Sequence, residues 1–164
     1  MERALPEKLA TKVQGLPVAY GELAASYRRA MATRTGTKPK KRNIRLHNDV
    51  TRALNRQLVH DKRLLNLRGL KPSQYVDAAL TLARGVSVED LIEAADKFRD
   101  SQIGDDDDWG SATHYSIAKE NDTWLHDMMD ELLLANTHGL HGHMINVIIR
   151  SFIEQLQIEG SSGN

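Results

Sequence analysis

From Lys41 to His47 apolar and polar positions alternate: Ile44 and Leu46 fall on one side, Lys41, Asn43 and Arg45 on the other. An extended chain sends successive side chains to opposite faces, so this segment is predicted to be a short, half-buried strand. After Asp49 the apolar spacing changes to Val50, Ala53, Leu54 and Leu58, a helical period, and Asn48 or Asp49 is a suitable N-cap at the switch. The helix is expected to run to about Asn66. Gly69 then supplies a turn, and Pro72 suits the first position of a second helix burying Tyr75, Val76, Ala79, Leu82 and Ala83.

Outside this unit the pattern is weaker. Residues 1–32 read as one or two helices: Leu5 and Leu9 precede a break at Gly15-Leu16-Pro17, and Tyr20, Leu23, Ala24, Tyr27 and Met31 follow at helical spacing. Core packing accounts for them, and a partner-binding helix is the alternative. Residues 33–40 have no apolar side chain beyond Pro39 and read as a flexible basic arm or linker. Residues 85–112 form a linker in which Ser87 to Asp90 resembles a capping box ahead of a short amphipathic helix containing Val88, Leu91, Ile92 and Ala95. The acidic run Asp105 to Asp108 is expected to be a solvated linker or, alternatively, a phosphate mimic holding the basic arm.

Shifted by 71 positions, the first pattern returns. Ile44 and Leu46 match Tyr115 and Ile117, Leu54 matches Leu125, and Leu58 matches Met129. A one-residue gap changes the offset to 70, which aligns Gly69-Leu70 with Gly139-Leu140 and Tyr75, Ala79, Leu82 and Ala83 with Ile145, Ile149, Phe152 and Ile153. The same order of strand, cap, helix, Gly-Leu turn and helix marks a diverged internal duplication, over residues 41–84 and 113–158, with 159–164 as a tail.

Charge separates the copies. The net charge of the 164 residues is zero, but residues 1–84 hold 18 Lys and Arg against 6 Asp and Glu, whereas residues 85–164 hold 4 against 16. A basic half implies a polyanionic partner, and the acidic half suits a solvated surface or a protein-binding face. Two Trp, two Phe and four Tyr are too few and too dispersed for a single-strand stacking platform, so duplex DNA is the expected polyanion. The absence of cysteine excludes disulfides and thiolate chemistry. No apolar run approaches a membrane span, and Met1-Glu2-Arg3 does not begin a signal peptide; a cytoplasmic protein without membrane contact is expected.

Both copies resemble the ribbon-helix-helix family of DNA-binding proteins, the MetJ/Arc type. The first is the nearer match, through K-R-N-I-R-L-H-N-D-V-T-R-A-L and G-L-K-P-S-Q-Y-V-D-A-A-L. The resemblance implies a mainly α fold with a short antiparallel two-stranded β-ribbon. The tandem copies would form an intramolecular pseudo-dimer behind the N-terminal helices. It further implies that Lys41, Asn43 and Arg45 read bases, with His47 at the ribbon's end and His114 and Ser116 as hydrogen-bonding counterparts in the second strand, where Ala112 replaces Lys41. The second helix's start would grip phosphate, at Lys71 to Ser73 in the first copy and at His141 to His143 in the second. Lys38 and Lys40 of the basic arm, with Lys71, Ser73 and His143, are the expected phosphate contacts. The second strand has no Lys or Arg, so an asymmetric footprint is expected.

Taken on its own residues, the Lys41–His47 strand fits a solvated surface strand as well as a groove reader. His138, His141 and His143 raise a nickel, copper or zinc site, against which stand their position at a turn and the lack of Cys; no metal or other cofactor is expected. Met128, Met129 and Met144 have core spacing. There is no phosphate-cradling glycine loop and no nucleophile with a convincing base, so an enzyme is not expected. The function expected is sequence-specific binding of double-stranded DNA, in transcription regulation, plasmid maintenance or as a conjugation accessory. The alternative is an adaptor or antitoxin-like module whose acidic half, or N-terminal helices, binds a protein.

Overall fold

The computed structural model describes residues 16–32, 39–101, 109–137 and 139–162. Among them, six helices surround one two-stranded antiparallel ribbon, in the order α1 (Val18–Met31), β1 (Lys40–His47), α2 (Asn48–Leu65), α3 (Pro72–Ala83), α4 (Val88–Ser101), β2 (Trp109–Ile117), α5 (Lys119–Leu134) and α6 (Leu140–Ser162).

The expected alternation in β1 is present: Ile44 and Leu46 are buried, and Lys41, Asn43 and Arg45 are exposed. α2 follows with no intervening loop. Its N-cap is His47, one residue before the expected Asn48 or Asp49. The helix stops where Asn66 takes a left-handed conformation with φ 55°, which Asn tolerates better than most residues because its short amide bonds locally. Asn66 therefore makes the turn expected of Gly69. Pro72 occupies the first turn of α3 as anticipated, where its missing N–H has no helical acceptor to lose.

The segment expected as a linker is partly core. α4 is longer than the short helix expected, buries Leu91, Ala95 and Phe98, and packs along α6. β2 begins four residues before the expected Thr113, and α6 continues beyond residue 158. Met128 and Met144 are buried as expected, but Met129 is 45% exposed and lies outside the core.

The two strand-helix-helix segments interlock. α3 lies beneath β2 and α6 beneath β1, while α2 also packs on α6. Two buried polar side chains fasten this exchange. The Asn146 carboxamide of α6 accepts the His47 N–H at 2.8 Å and donates to the Arg45 carbonyl at 3.2 Å. Across the molecule, the Asp77 carboxylate of α3 accepts the Ala118 N–H at 2.8 Å. His47 and Ala118 are the N-caps of α2 and α5, so each orphan donor at a helix start is satisfied by the other segment. His47 and Ala118 differ by 71 positions but Asp77 and Asn146 by 69, so the second helices align one residue away from the offset of 70 expected from their apolar residues. The shift pairs buried Leu80 with buried Ile149; an offset of 70 would pair it with exposed Arg150.

α1 is fixed to both segments. The Glu159 carboxylate accepts the Ala19 and Tyr20 N–H groups at 2.9 and 3.0 Å, and the Tyr20 hydroxyl donates to buried Asp61 at 2.7 Å. Burial of Asp61 pushes its pKa up, against the hydrogen bonds that Tyr75, Tyr20 and Gln57 donate to it.

Candidate nucleic-acid interface

The ribbon's outward face is built by register. Lys41 pairs with Ser116, Asn43 with His114, and Arg45 with Ala112. Lys41, Asn43, Arg45, Ala112 and His114 are exposed, and Ser116 is half-buried. Alternate side chains on a strand stand about 7 Å apart, close to two base-pair rises, and two strands together fit a major groove about 12 Å wide. The row from Lys41 to Arg45 thus spans about four base-pair steps.

The 71-residue offset relates Asn43 to His114, which are also direct partners across the ribbon. A local two-fold axis therefore passes between them, and Lys41 and Arg45 stand on opposite sides of it. In the outward row each side of this pair carries one cation from β1, Lys41 or Arg45, and β2 contributes no Lys or Arg.

Arg45 is held in place before any ligand arrives. Its Nε donates to the Gly110 carbonyl at 2.7 Å, and the guanidinium carbon lies 5.7 Å from the centre of the Trp109 ring. The terminal nitrogens carry no hydrogen bond among the described residues. Two glycines make the arrangement possible. A Cβ on Gly110 would stand 3.0 Å from the Leu46 carbonyl oxygen, and one on Gly142 would stand 3.2 Å from the Trp109 ring. Trp109 and Gly110 were missed in the sequence because Gly110-Ser111-Ala112 has no large apolar residue to mark a face.

His47 is not on the ribbon's outward face. It is 1% exposed, and its ring lies 4.0 Å from that of Trp109 and 5.3 Å from that of Phe98, centre to centre. A bulge between Arg45 and His47 accompanies this inward turn. His143, expected at a phosphate, instead packs its ring 5.3 Å from Trp109. Burial first, then the neighbouring His47 and Arg99, lower its pKa, which works against the charged form that would suit a phosphate.

At the other expected clamp, Lys71 is exposed at the start of α3, where Gln74 Oε1 accepts its N–H at 2.6 Å. The Ser73 hydroxyl is engaged within the protein: it accepts the Ser116 N–H at 2.9 Å and ties α3 to β2. A cleft lined by Arg29, Lys71 and Lys119 and also by Asp77 and Glu120 opens beside it. Lys40 is exposed at the start of β1; Lys38 and the Asp105–Asp108 run lie outside the described residues.

Arg42, on the inward face, was not foreseen as a structural residue. Its Nη1 donates to Asp122 at 3.1 Å and approaches His126 Nε2 at 3.0 Å, anchoring β1 on α5. His141 sits half-buried nearby, and burial, with the charge of Arg42 and with His126, lowers its pKa to about 4. The second helix start thus has two histidines of lowered pKa where the first has Lys71. His138 lies outside the described residues, and His141 and His143 have different neighbours. Among the described residues no group of three or more His, Asp or Glu is arranged to hold a metal ion. No described helix is long and apolar enough to cross a membrane.

No family model, curated protein or solved structure matches the chain.

Proposed function

We propose that the protein is a non-enzymatic, sequence-specific binder of double-stranded DNA that lays its ribbon in the major groove, as a tandem ribbon-helix-helix pseudo-dimer. The observation that carries the reading is the outward row Lys41, Asn43 and Arg45, in register with Ser116, His114 and Ala112. An Arg poised by Gly110 and Trp109 suits guanine, and an exposed Asn carboxamide at the centre suits adenine. Lys40, Lys71 and Lys119 supply exposed cations for flanking phosphates.

The position of the axis refines the asymmetry expected from the sequence. Arg45 addresses one half-site and Lys41 the other, so both are contacted but read differently. The preferred site is continuous across the centre and not palindromic. A protein of this kind marks a DNA site for transcription control or for plasmid maintenance or transfer.

Selection from a random duplex library tests the reading. Enrichment of a short non-palindromic element containing guanine at one end is expected, with affinity that falls steeply as salt rises. Recovery of no preferred sequence would overturn it.

A further inference from the structure

α2 and α5 follow the two strands in corresponding places, yet their solvent faces have opposite charge. On α2, Arg52, Arg56 and Arg63 line an exposed stripe at helical spacing that includes Val59, 45% exposed, and is flanked by Leu64, 42% exposed. On α5 the corresponding stripe carries Asp127, Asp130 and Glu131 and ends at Leu133 and Leu134, 68% and 79% exposed. The offset of 71 places Arg56 against Asp127 in the repeat. None of these six charged side chains takes part in an ion pair or hydrogen bond among the described residues.

We infer that the α2 face of one molecule docks on the α5 face of a second copy of this chain, head to tail. Pairing α2 with α2, or α5 with α5, would set like charges together, which disfavours a contact of either helix with its own copy. Pairing α2 with α5 matches cation to anion and covers the exposed Val59 and Leu134. Such a contact uses two different surfaces, so each molecule joined still presents one free α2 and one free α5, and assembly continues as a chain unless the rotation closes it into a ring. Exposed ion pairs are individually weak and screened by salt, so the association is modest in free protein and sensitive to ionic strength. This inference does not depend on which polyanion the ribbon contacts.

Sedimentation velocity of the whole chain tests it, at about 50 mM and about 0.5 M salt, with two variants. Wild-type protein is expected to self-associate at low salt and to dissociate at high salt. Arg52→Glu/Arg56→Glu alters only α2, and Leu133→Asn/Leu134→Asn alters only α5. Each alone is expected to lose self-association by at least about tenfold. Mixed, the intact α5 of the first meets the intact α2 of the second, and the pair forms a capped 1:1 complex that does not grow. Recovery of that complex also shows that both variants are folded. A wild type that stays monomeric at low salt overturns the proposal, as does association indifferent to salt or to both variants, or a mixture that forms no complex. Loss of duplex binding in the α2 variant, without any self-association of the wild type, would assign the basic stripe to DNA phosphates instead.

Discussion

Asn43 and His114 face each other across the centre of the ribbon, and the 71-residue offset between the two segments carries one onto the other. Here the pairing makes the ribbon two-fold in backbone while leaving it asymmetric in side chains, with Arg45 at one end and Lys41 at the other.

Trp109 reports on this surface. The chain has two tryptophans, so a Trp124→Phe variant leaves Trp109 as the single emitter. Its emission is expected to change as duplex DNA is titrated in, because Arg45 lies over its ring. Trp109→Ala removes the cation–π contact and is expected to weaken duplex binding by about 0.5–2 kcal/mol in an anisotropy titration. Unchanged emission and affinity would separate Trp109 from the interface.

Asp77 gathers donors from α1, from the start of α5 and from α5 itself. Its carboxylate collects the Ala118 N–H, the Asn121 amide, the Ser26 hydroxyl and Arg29. Asp77→Ala strands these donors and is expected to lower unfolding free energy in urea by about 3–5 kcal/mol. The uncharged counterpart Asn146→Ala should cost about 1–3 kcal/mol. Burial acts to raise the Asp77 pKa, but the donors outweigh it and hold the group below its ordinary 3.8. Its stabilisation is thus complete above that value and lost as pH falls through the lower folded value. Asp77→Asn should flatten this acid limb; equal acid sensitivity in the variant would contradict the assignment.

His141 contributes a second, milder limb. Burial and the nearby Arg42 bring its pKa from 6.5 to about 4, so the unfolded chain takes up a proton that the folded one refuses. Its stabilisation is present above pH 6.5 and is lost as pH falls toward 4. A loss of about 2–3 kcal/mol over this interval is expected, and His141→Asn should remove it. Urea midpoints measured across the interval check the slope; parallel profiles for the two proteins would contradict it.

Much of the fold was legible because apolar periodicity reports which face is buried. Ile44 and Leu46 marked the ribbon's inner face, and Pro72 marked the start of α3. What periodicity cannot report is a buried polar side chain. Asp77 and Asn146 interrupt apolar stripes, and their common role emerges only when their partners, Ala118 and His47, lie against them from the other segment. His47 was misplaced for a related reason. Its outward position in a regular strand is cancelled by the bulge after Arg45, and nothing local in the sequence signals a bulge that Trp109 and Phe98 cover from far along the chain.

The most direct test of DNA reading is a protection footprint on a duplex recovered by selection, comparing wild-type protein with Arg45→Ala at moderate salt. Wild-type protein is expected to protect a discrete site across both half-sites. Arg45→Ala, whose side chain is exposed, should stay folded and lose about 1–3 kcal/mol of discrimination at the guanine end. Equal protection and unchanged base preference in the variant would contradict the assignment of Arg45 and the ribbon as the reader.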